Sequence, residues 1–138
     1  MTILSQDKKS KISLEFLESE TERYPSVCLE ISIQDRKFSG YNKDVWFELA
    51  ALKGFVADLK QLEQTRIGSV SLTSMSPEEF HLKIETYDLC GHMVLKYAIS
   101  KSHYIPQLNI QTLSGGFEID VSLLNILSVN FENRLFLY

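Results

Sequence analysis

The sequence predicts an α+β domain in which an antiparallel sheet of about six strands is covered by a long helix from the middle of the chain and a C-terminal helix. Several short segments alternate apolar and polar residues, two longer ones carry apolar residues at helical spacing, and the connections between the alternating segments are short. A chain of 138 residues, 44% of them hydrophobic, is long enough to bury one core. We therefore predict a single domain over residues 11–138, preceded by a flexible polar arm at residues 1–10.

The first half of the chain predicts two strands and the long helix. Apolar residues alternate over residues 12–16 and 27–33, on either side of a loop that contains Pro25. Asp44 is a suitable N-cap for a helix over residues 45–64. The apolar face of this helix consists of Leu49, Leu52, Phe55, Val56, Leu59 and Leu62.

The second half predicts a hairpin whose register can be derived. Apolar residues alternate over residues 80–86 and 93–99, and a four-residue turn at 88–91 would join the two strands. The facing pairs are then Thr86 with Met93, Ile84 with Leu95, Leu82 with Tyr97 and Phe80 with Ile99. All the apolar partners share one face, although Lys83 then lies opposite Lys96 on the other face.

Two further strands and a helix complete the prediction. Val70 and Leu72 begin one strand, and residues 108–112 begin the last, which either runs through or is interrupted at Gly115 and Gly116. Asp120 is a suitable cap for the terminal helix. The apolar positions of that helix are Leu123, Leu124, Leu127, Phe131 and Leu135.

Charge, composition and motifs argue against several classes of function. The net charge of −4 predicts no nucleic-acid ligand, because such ligands require many cations to neutralise phosphates. The sequence has no export signal and no apolar run long enough to cross a membrane, and its two cysteines fit neither a metal site nor a disulfide scaffold. It has no phosphate-binding loop and no hydrolase or metalloprotease signature. We predict a cytoplasmic protein that requires no cofactor or metal.

The histidines and cysteines do not predict an active site. In the hairpin register His92 faces Tyr87, six residues along the strand from His81, which separates the two histidines by roughly 20 Å at about 3.4 Å per residue. Cys90 lies near His92 but has no acidic residue fixed nearby to orient the histidine. We therefore predict that the protein is not an enzyme.

Candidate binding residues come from an acidic cluster and an aromatic segment. Glu18, Glu20 and Glu22 alternate, so an extended segment would place their carboxylates on one side, where they suit a basic partner. Residues 38–47 contain four aromatic side chains, of which Tyr41 is the best candidate for exposure, whereas Trp46 and Phe47 would dock the long helix on the sheet.

The order of elements resembles that of the bacterial WapI-like immunity proteins and their relatives. The matching features are Trp46 before a helix with Phe55, Leu59 and Leu62, then Gly68 and Leu72, then Gly91 and His92 before a strand, and Phe117, Glu118, Ile119 and Asp120 before a helix with Leu123 and Leu124. The resemblance implies a protein that neutralises a cognate contact-dependent toxin by direct binding. It supplies no binding residue, so Glu18, Glu20, Glu22 and Tyr41 are the contacts that we expect from charge and exposure.

Three alternatives remain open at the level of the sequence. One is a small-molecule-binding domain with a pocket between the sheet and the long helix, where Gly54 would leave room. Another is an uncharacterised enzyme, which would require acidic or histidine side chains to converge in a cleft. The third is a homodimer formed along an open sheet edge or an exposed helix face.

Overall fold

The structure of the protein, a computed structural model, describes residues 1–135. Along this range the elements are β1 (Thr2–Leu4), β2 (Ser10–Glu20), β3 (Ser26–Asp35), β4 (Phe38–Glu48), α1 (Leu49–Thr65), β5 (Ser69–Thr73), β6 (Phe80–Thr86), β7 (Met93–Tyr104), β8 (Leu108–Ile119) and α2 (Leu123–Leu135). The strands form two antiparallel sheets, ordered β1-β2-β3-β4 and β5-β6-β7-β8. The predicted α+β class is confirmed, whereas the single sheet of about six strands is wrong.

The two halves of the chain repeat one arrangement, in which a four-stranded meander is followed by a helix. A buried serine follows the first strand of each half and binds the residue that opens the second strand. The amide of Ser5 donates to the carbonyl of Ser10, and the amide of Ser10 donates to Ser5 Oγ at 3.0 Å. Ser74 and Phe80 make the same two bonds in the second half, each at 3.0 Å.

The two sheets are linked to each other at both of their edges. The amide of Gln6, after β1, donates to the carbonyl of Glu118 in β8 at 2.8 Å. The amide of Met75, after β5, donates to the carbonyl of Trp46 in β4 at the same distance. The inner faces of both sheets therefore enclose one hydrophobic core, to which both helices contribute. A pattern of alternating residues predicts strands but not this division into sheets.

Strand β4 replaces the predicted beginning of the long helix. Val45 and Phe47 are fully buried on the inner face of β4, and α1 begins only at Leu49. Asp44 is therefore not the N-cap, and Glu48, which occupies that position, makes no side-chain cap bond. The sequence does not predict this strand because β4 contains a bulge. Two residues of β4 lie between Asn42 and Val45, where β3 has only one, and the extra residue interrupts the alternation of apolar and polar side chains.

The first ten residues, predicted as a flexible arm, contain β1 and the turn into β2. Ile3 is buried in the core, and the amino group of Met1 donates to the carbonyl of Leu14 at 3.1 Å. A strand of three residues with one buried side chain carries no periodic signal, so composition alone could not reveal it.

The hairpin of β6 and β7 has the predicted register, from Phe80 opposite Ile99 to Thr86 opposite Met93. Lys83 does lie opposite Lys96, and Glu85 resolves the repulsion by binding both ammonium groups, at 3.3 and 2.7 Å. Lys96 and then Lys83 lower the pKa of Glu85 as a result. The carboxylate keeps its charge and compensates for the like-charged pair.

Both helices bury the faces that their apolar residues predict. The buried residues are Leu52, Phe55, Val56, Leu59 and Leu62 in α1, and Leu124, Leu127, Phe131 and Leu135 in α2, together with Ser128. Gly54, however, lies on the exposed side of α1, and a Cβ added there would meet no atom within 4 Å. It therefore does not open a pocket towards the sheet. No helix in the described part of the chain is long and apolar enough to cross a membrane.

Strands β7 and β8 extend beyond the rest of their sheet. Their ladder runs without a register shift through Gly115 and Gly116, so the last predicted strand is uninterrupted. Strand β6 begins opposite Ile99, and residues 101–112 are exposed. We call residues 100–112 the arm. Its exposed apolar side chains are Tyr104, Ile105, Leu108 and Ile110.

Candidate functional site

The outer face of the first sheet collects acidic side chains. Its inner face is formed by the apolar pairs of β2 and β3, so the alternate positions point outwards. Register places Glu15 opposite Glu30, Glu18 opposite Cys28, and Glu20 opposite Ser26. On β4, Trp46 lies opposite Cys28, Glu48 opposite Ser26, and Tyr41 opposite Ser32. We call this surface the acidic face, defined by Glu15, Glu18, Glu20, Glu30, Glu48, Tyr41 and Trp46.

A bulge in β2 directs Glu18 to this face. Phe16 and Glu18 are two residues apart and would point to the same side of a regular strand. Leu17 is the extra residue between them, so Phe16 packs inwards beside Phe131 while Glu18 points outwards. Two of the three predicted carboxylates, Glu18 and Glu20, thus share a face.

Glu22 lies in the loop after β2 rather than on the acidic face. Its amide donates to Glu20 Oε1 at 2.9 Å, which closes the turn. The predicted alternation of three carboxylates therefore holds for two of them. Glu15 and Glu30 belong to the acidic face in place of Glu22. The sequence pattern could have predicted this, because both residues occupy polar positions in the alternating segments at residues 12–16 and 27–33.

The acidic face keeps like charges close together. Glu15 and Glu30 are directly opposite one another, a pairing that costs of order 0.2–1 kcal/mol in an antiparallel sheet. The amino group of Met1 lies 3.7 Å from Glu15 and offsets part of this repulsion. Tyr41 is 56% exposed, and partial burial, followed by the charge of Glu30, raises the pKa of its hydroxyl. The phenol remains a neutral hydrogen-bonding group beside a carboxylate.

Cys28 lies on the same side of the sheet but is buried, between Glu18 on β2 and Trp46 on β4. Burial raises the pKa of its thiol, and the charges of Asp44 and Glu18 raise it further. A thiol held in its neutral form is a poor nucleophile and a poor metal ligand. Cys28 is therefore a packing residue of this face.

A second polar cluster joins the two sheets. Asp35, at the end of β3, accepts hydrogen bonds from Ser10 Oγ and from Tyr97 Oη of β7, each at 2.7 Å. Burial, followed by this hydrogen bond, raises the pKa of Tyr97, so the phenol remains a donor. Gly115 permits the contact, because a Cβ there would lie 2.8 Å from both Asp35 Oδ2 and Tyr97 Oη.

The Asp35 cluster forms the floor of an open cleft of about 690 Å³. Arg36, Lys37 and Phe38 line one side of it, and residues 112–116 of β8 line the other. The sequence-based predictions do not include this cluster. The signal was present, because Asp35 continues the inward-facing positions of β3, where an acidic residue needs a buried partner.

A third cluster lies at the turn between β6 and β7. Asp88 Oδ1 accepts the amides of Cys90 and His92, and Asp88 Oδ2 lies 2.6 Å from His92 Nδ1. The imidazole of His92 stacks on Tyr87 with ring centroids 5.9 Å apart. The expectation that no acidic residue orients His92 is therefore wrong, because Asp88 does so.

The arrangement at this turn is exposed, and Asp88 is committed to fixing the turn. His81 and His103 bind elsewhere, to Thr73 and Gln111 respectively, so the three histidines do not converge. In the range 1–135, no three His, Cys, Asp or Glu side chains are grouped so that they could hold a metal ion.

Comparisons of the chain with protein-family models, with curated proteins and with solved structures find no match. The resemblance to WapI-like immunity proteins thus rests on the residues quoted for it. The fold and its surfaces define an α+β protein of two linked antiparallel sheets with an acidic outer face, and function has to be argued from those surfaces.

Proposed function

We propose that the protein is a non-enzymatic, cytoplasmic binding protein that neutralises a cognate bacterial toxin domain by direct contact with its acidic face. The observation that carries the proposal is the juxtaposition of Glu15, Glu18 and Glu30 with the exposed aromatic residue Tyr41 on one open sheet surface. The resemblance to WapI-like immunity proteins, noted from the sequence, points to the same class of function.

The chemistry of the face favours a basic protein surface as its partner. Carboxylates that repel one another in the free protein gain from a cation brought between them, and complementary charge accelerates association. Tyr41, and Trp46 at the edge of the face, are residue types that commonly anchor protein interfaces. Charge would set the approach and orientation of the partner, while the aromatic groups would supply buried contact area.

The scaffold supports binding without rearrangement. Strand β3 pairs with β2 on one side and with β4 on the other, and the inner side chains of all three strands belong to the hydrophobic core. The backbone that carries the acidic face is therefore ordered before a partner arrives, which lowers the ordering cost of association. An immunity protein, which must act quickly and bind tightly, benefits from this property.

If the protein is an immunity protein, we expect the gene of its cognate secreted toxin to lie next to its own gene, and the test uses that toxin. The purified C-terminal toxin domain should bind the wild-type protein, and Glu18→Lys and Glu30→Lys should each weaken binding about tenfold, or about 1.4 kcal/mol, mainly through the association rate. Stopped-flow and calorimetric titration would measure both quantities.

Asp58→Lys is the matched control, since it reverses an exposed acidic charge on α1, away from the acidic face. It should leave the affinity near that of the wild type. Equal losses for all three variants would mean that net charge, rather than this surface, governs binding. Absence of binding, or of a toxin gene next to this one, would refute the immunity role.

A second candidate function is recognition of a small anionic molecule in the cleft above Asp35. Its volume of about 690 Å³ is within the range of ligand sites, and Arg36, Lys37 and the 70% exposed Phe38 offer charge and an aromatic surface. This location, between the sheets, replaces the pocket expected beside Gly54. Thermal-shift screening with small aromatic carboxylates, repeated on Phe38→Ala and Arg36→Ala, would test it. A stabilising compound should lose its effect in both variants.

A further inference from the structure

The outer edge of β8 carries unpaired main-chain groups. The carbonyl of Glu118 accepts a bond from Gln6, so the main chain of Glu118 faces away from β7. Main-chain groups alternate along a strand, and those of Leu108, Ile110, Thr112 and Ser114 therefore face the same way. Over residues 108–114, no hydrogen bond to these groups is present within the described chain.

This edge lacks the features that usually keep a sheet edge from pairing. Residues 108–117 contain no charged side chain and no proline, and their ladder with β7 has no bulge. The other edge strands are protected. β1 has three residues, β5 has five, and β4 carries a bulge with Lys43 and Asp44.

The arm has little support of its own. It is a two-stranded ribbon exposed on both faces, and such a ribbon is marginally stable in water unless further strands or side-chain packing complete it. Tyr104 lies opposite Leu108 and Ser102 lies opposite Ile110, so three apolar side chains project from one face. A strand added at the free edge would satisfy these main-chain groups and place its own side chains beside Leu108 and Ile110.

We propose that residues 108–114 of β8 pair in antiparallel fashion with the same residues of a second copy of this chain. A two-fold axis beside Gln111 places Leu108 opposite Ser114 of the second copy and Ile110 opposite its Thr112. In this register, the main-chain groups that face away from β7 in one copy meet the corresponding groups of the other copy. The two arms then form one continuous sheet.

The absence of charged side chains on residues 108–114 favours a second copy of this chain as the strand that pairs with this edge. A two-fold axis places a strand against itself, so any charged residue near the axis would meet its own like charge. Residues 108–114 present only amide, hydroxyl and apolar side chains, which are compatible with themselves. The carboxylates of the acidic face belong to the other sheet, so dimerisation leaves that surface free.

Thr112→Pro tests the pairing directly. The amide of Thr112 faces away from β7, so proline removes no bond of the existing ladder but blocks one with a second copy. Thr112→Val is its control, because both substitutions remove the hydroxyl that contacts Ser100 and only proline removes the amide. Sedimentation equilibrium over a range of concentrations should give twice the monomer mass for the wild type and for Thr112→Val, and half of that mass for Thr112→Pro.

A second pair of variants tests dimerisation without introducing a proline. Ile110→Lys places like charges beside the proposed axis, whereas Ile126→Lys changes a similarly exposed residue on α2. Ile110→Lys should halve the mass and Ile126→Lys should not, with circular dichroism confirming that both are folded. A monomeric wild type at every concentration, or a folded Ile110→Lys protein that remains dimeric, would overturn the proposal. If Thr112→Pro does not fold, the Ile110 pair decides.

Discussion

At the scale of the residue, Asp88 shows how one side chain can determine the geometry of a turn. Its carboxylate accepts the amides of Cys90 and His92 and also binds the imidazole of His92. The hydrogen bond with His92 lowers the pKa of Asp88 and raises that of His92. The two groups therefore stabilise each other's charged form on an exposed surface, and the protonation of His92 reports directly on the turn.

Replacing Asp88 by asparagine should lower the pKa of His92. In the wild type, an NMR titration of the His92 ring should show a midpoint above the ordinary value of 6.5, because its hydrogen bond to Asp88 favours the imidazolium. Asp88→Asn should return the midpoint towards 6.5, and Asp120→Asn, a carboxylate at another turn, should leave it unchanged. An unaltered midpoint in Asp88→Asn would show that the pair does not form in solution.

The same pair makes a pH-dependent contribution to stability whose sign is defined. The raised pKa of His92 gives a contribution that is fully present below pH 6.5 and is lost as the pH rises through the folded-state value. The lowered pKa of Asp88 gives a second contribution to stability, which is present above pH 3.8 and is lost as the pH falls through the folded-state pKa of Asp88. The pair therefore stabilises the fold most between those two limits.

At the scale of the element, two glycines illustrate opposite demands on the chain. Gly54 lies in α1 with open space around it, whereas Gly115 lies in β8 against Asp35 and Tyr97. Gly54→Ala should stabilise the protein by about 0.5–1 kcal/mol, since alanine favours the helix interior. Gly115→Ala should destabilise it by roughly 1–3 kcal/mol, since its Cβ displaces a buried hydrogen-bonded pair. Urea unfolding of both variants measures the two values.

Each glycine variant also has a result that would contradict its explanation. If Gly54→Ala were destabilising, the exposed side of α1 would have to contact something within this chain. If Gly115→Ala were neutral, the Asp35 cluster would have to shift freely, and the double variant Gly115→Ala with Tyr97→Phe would then show no coupling between the two positions.

Elements with regular patterns could be predicted from the sequence, whereas those with irregular geometry could not. The β6–β7 hairpin and α2 each bury a clean periodic face, and both have the predicted positions. The sequence predicts a helix start where β4 lies, because the bulge in β4 interrupts the alternation just before a helical run. The sequence predicts the acidic face in part, since a bulge at Leu17 places Glu18 on the outer side, whereas β2 ends at Glu20 and leaves Glu22 in the loop.

At the scale of the whole molecule, the duplicated arrangement separates the proposed tasks. The acidic face belongs to the first sheet, and the free edge of β8 belongs to the second. Tertiary contacts that involve residues distant in the sequence, such as Asp35 with Tyr97, join the two sheets. The position of Asp35 indicates that it needs a buried partner, but no local pattern identifies Tyr97 as that partner, because the two residues are distant in the sequence.

The confinement of each strand ladder to one half of the chain allows the molecule to be divided. Every strand pair of residues 1–135 lies within residues 1–48 or within residues 69–119, and Ile67, on the connection between the halves, is 80% exposed. A cut after Ile67 would break no ladder, while each fragment would expose half of a common core. Polypeptides 1–67 and 68–138, produced separately and mixed, should therefore reassemble and recover the circular dichroism spectrum and cooperative melting of the intact chain. Fragments that remain apart would mean that the chain connection itself is needed to bring the halves together.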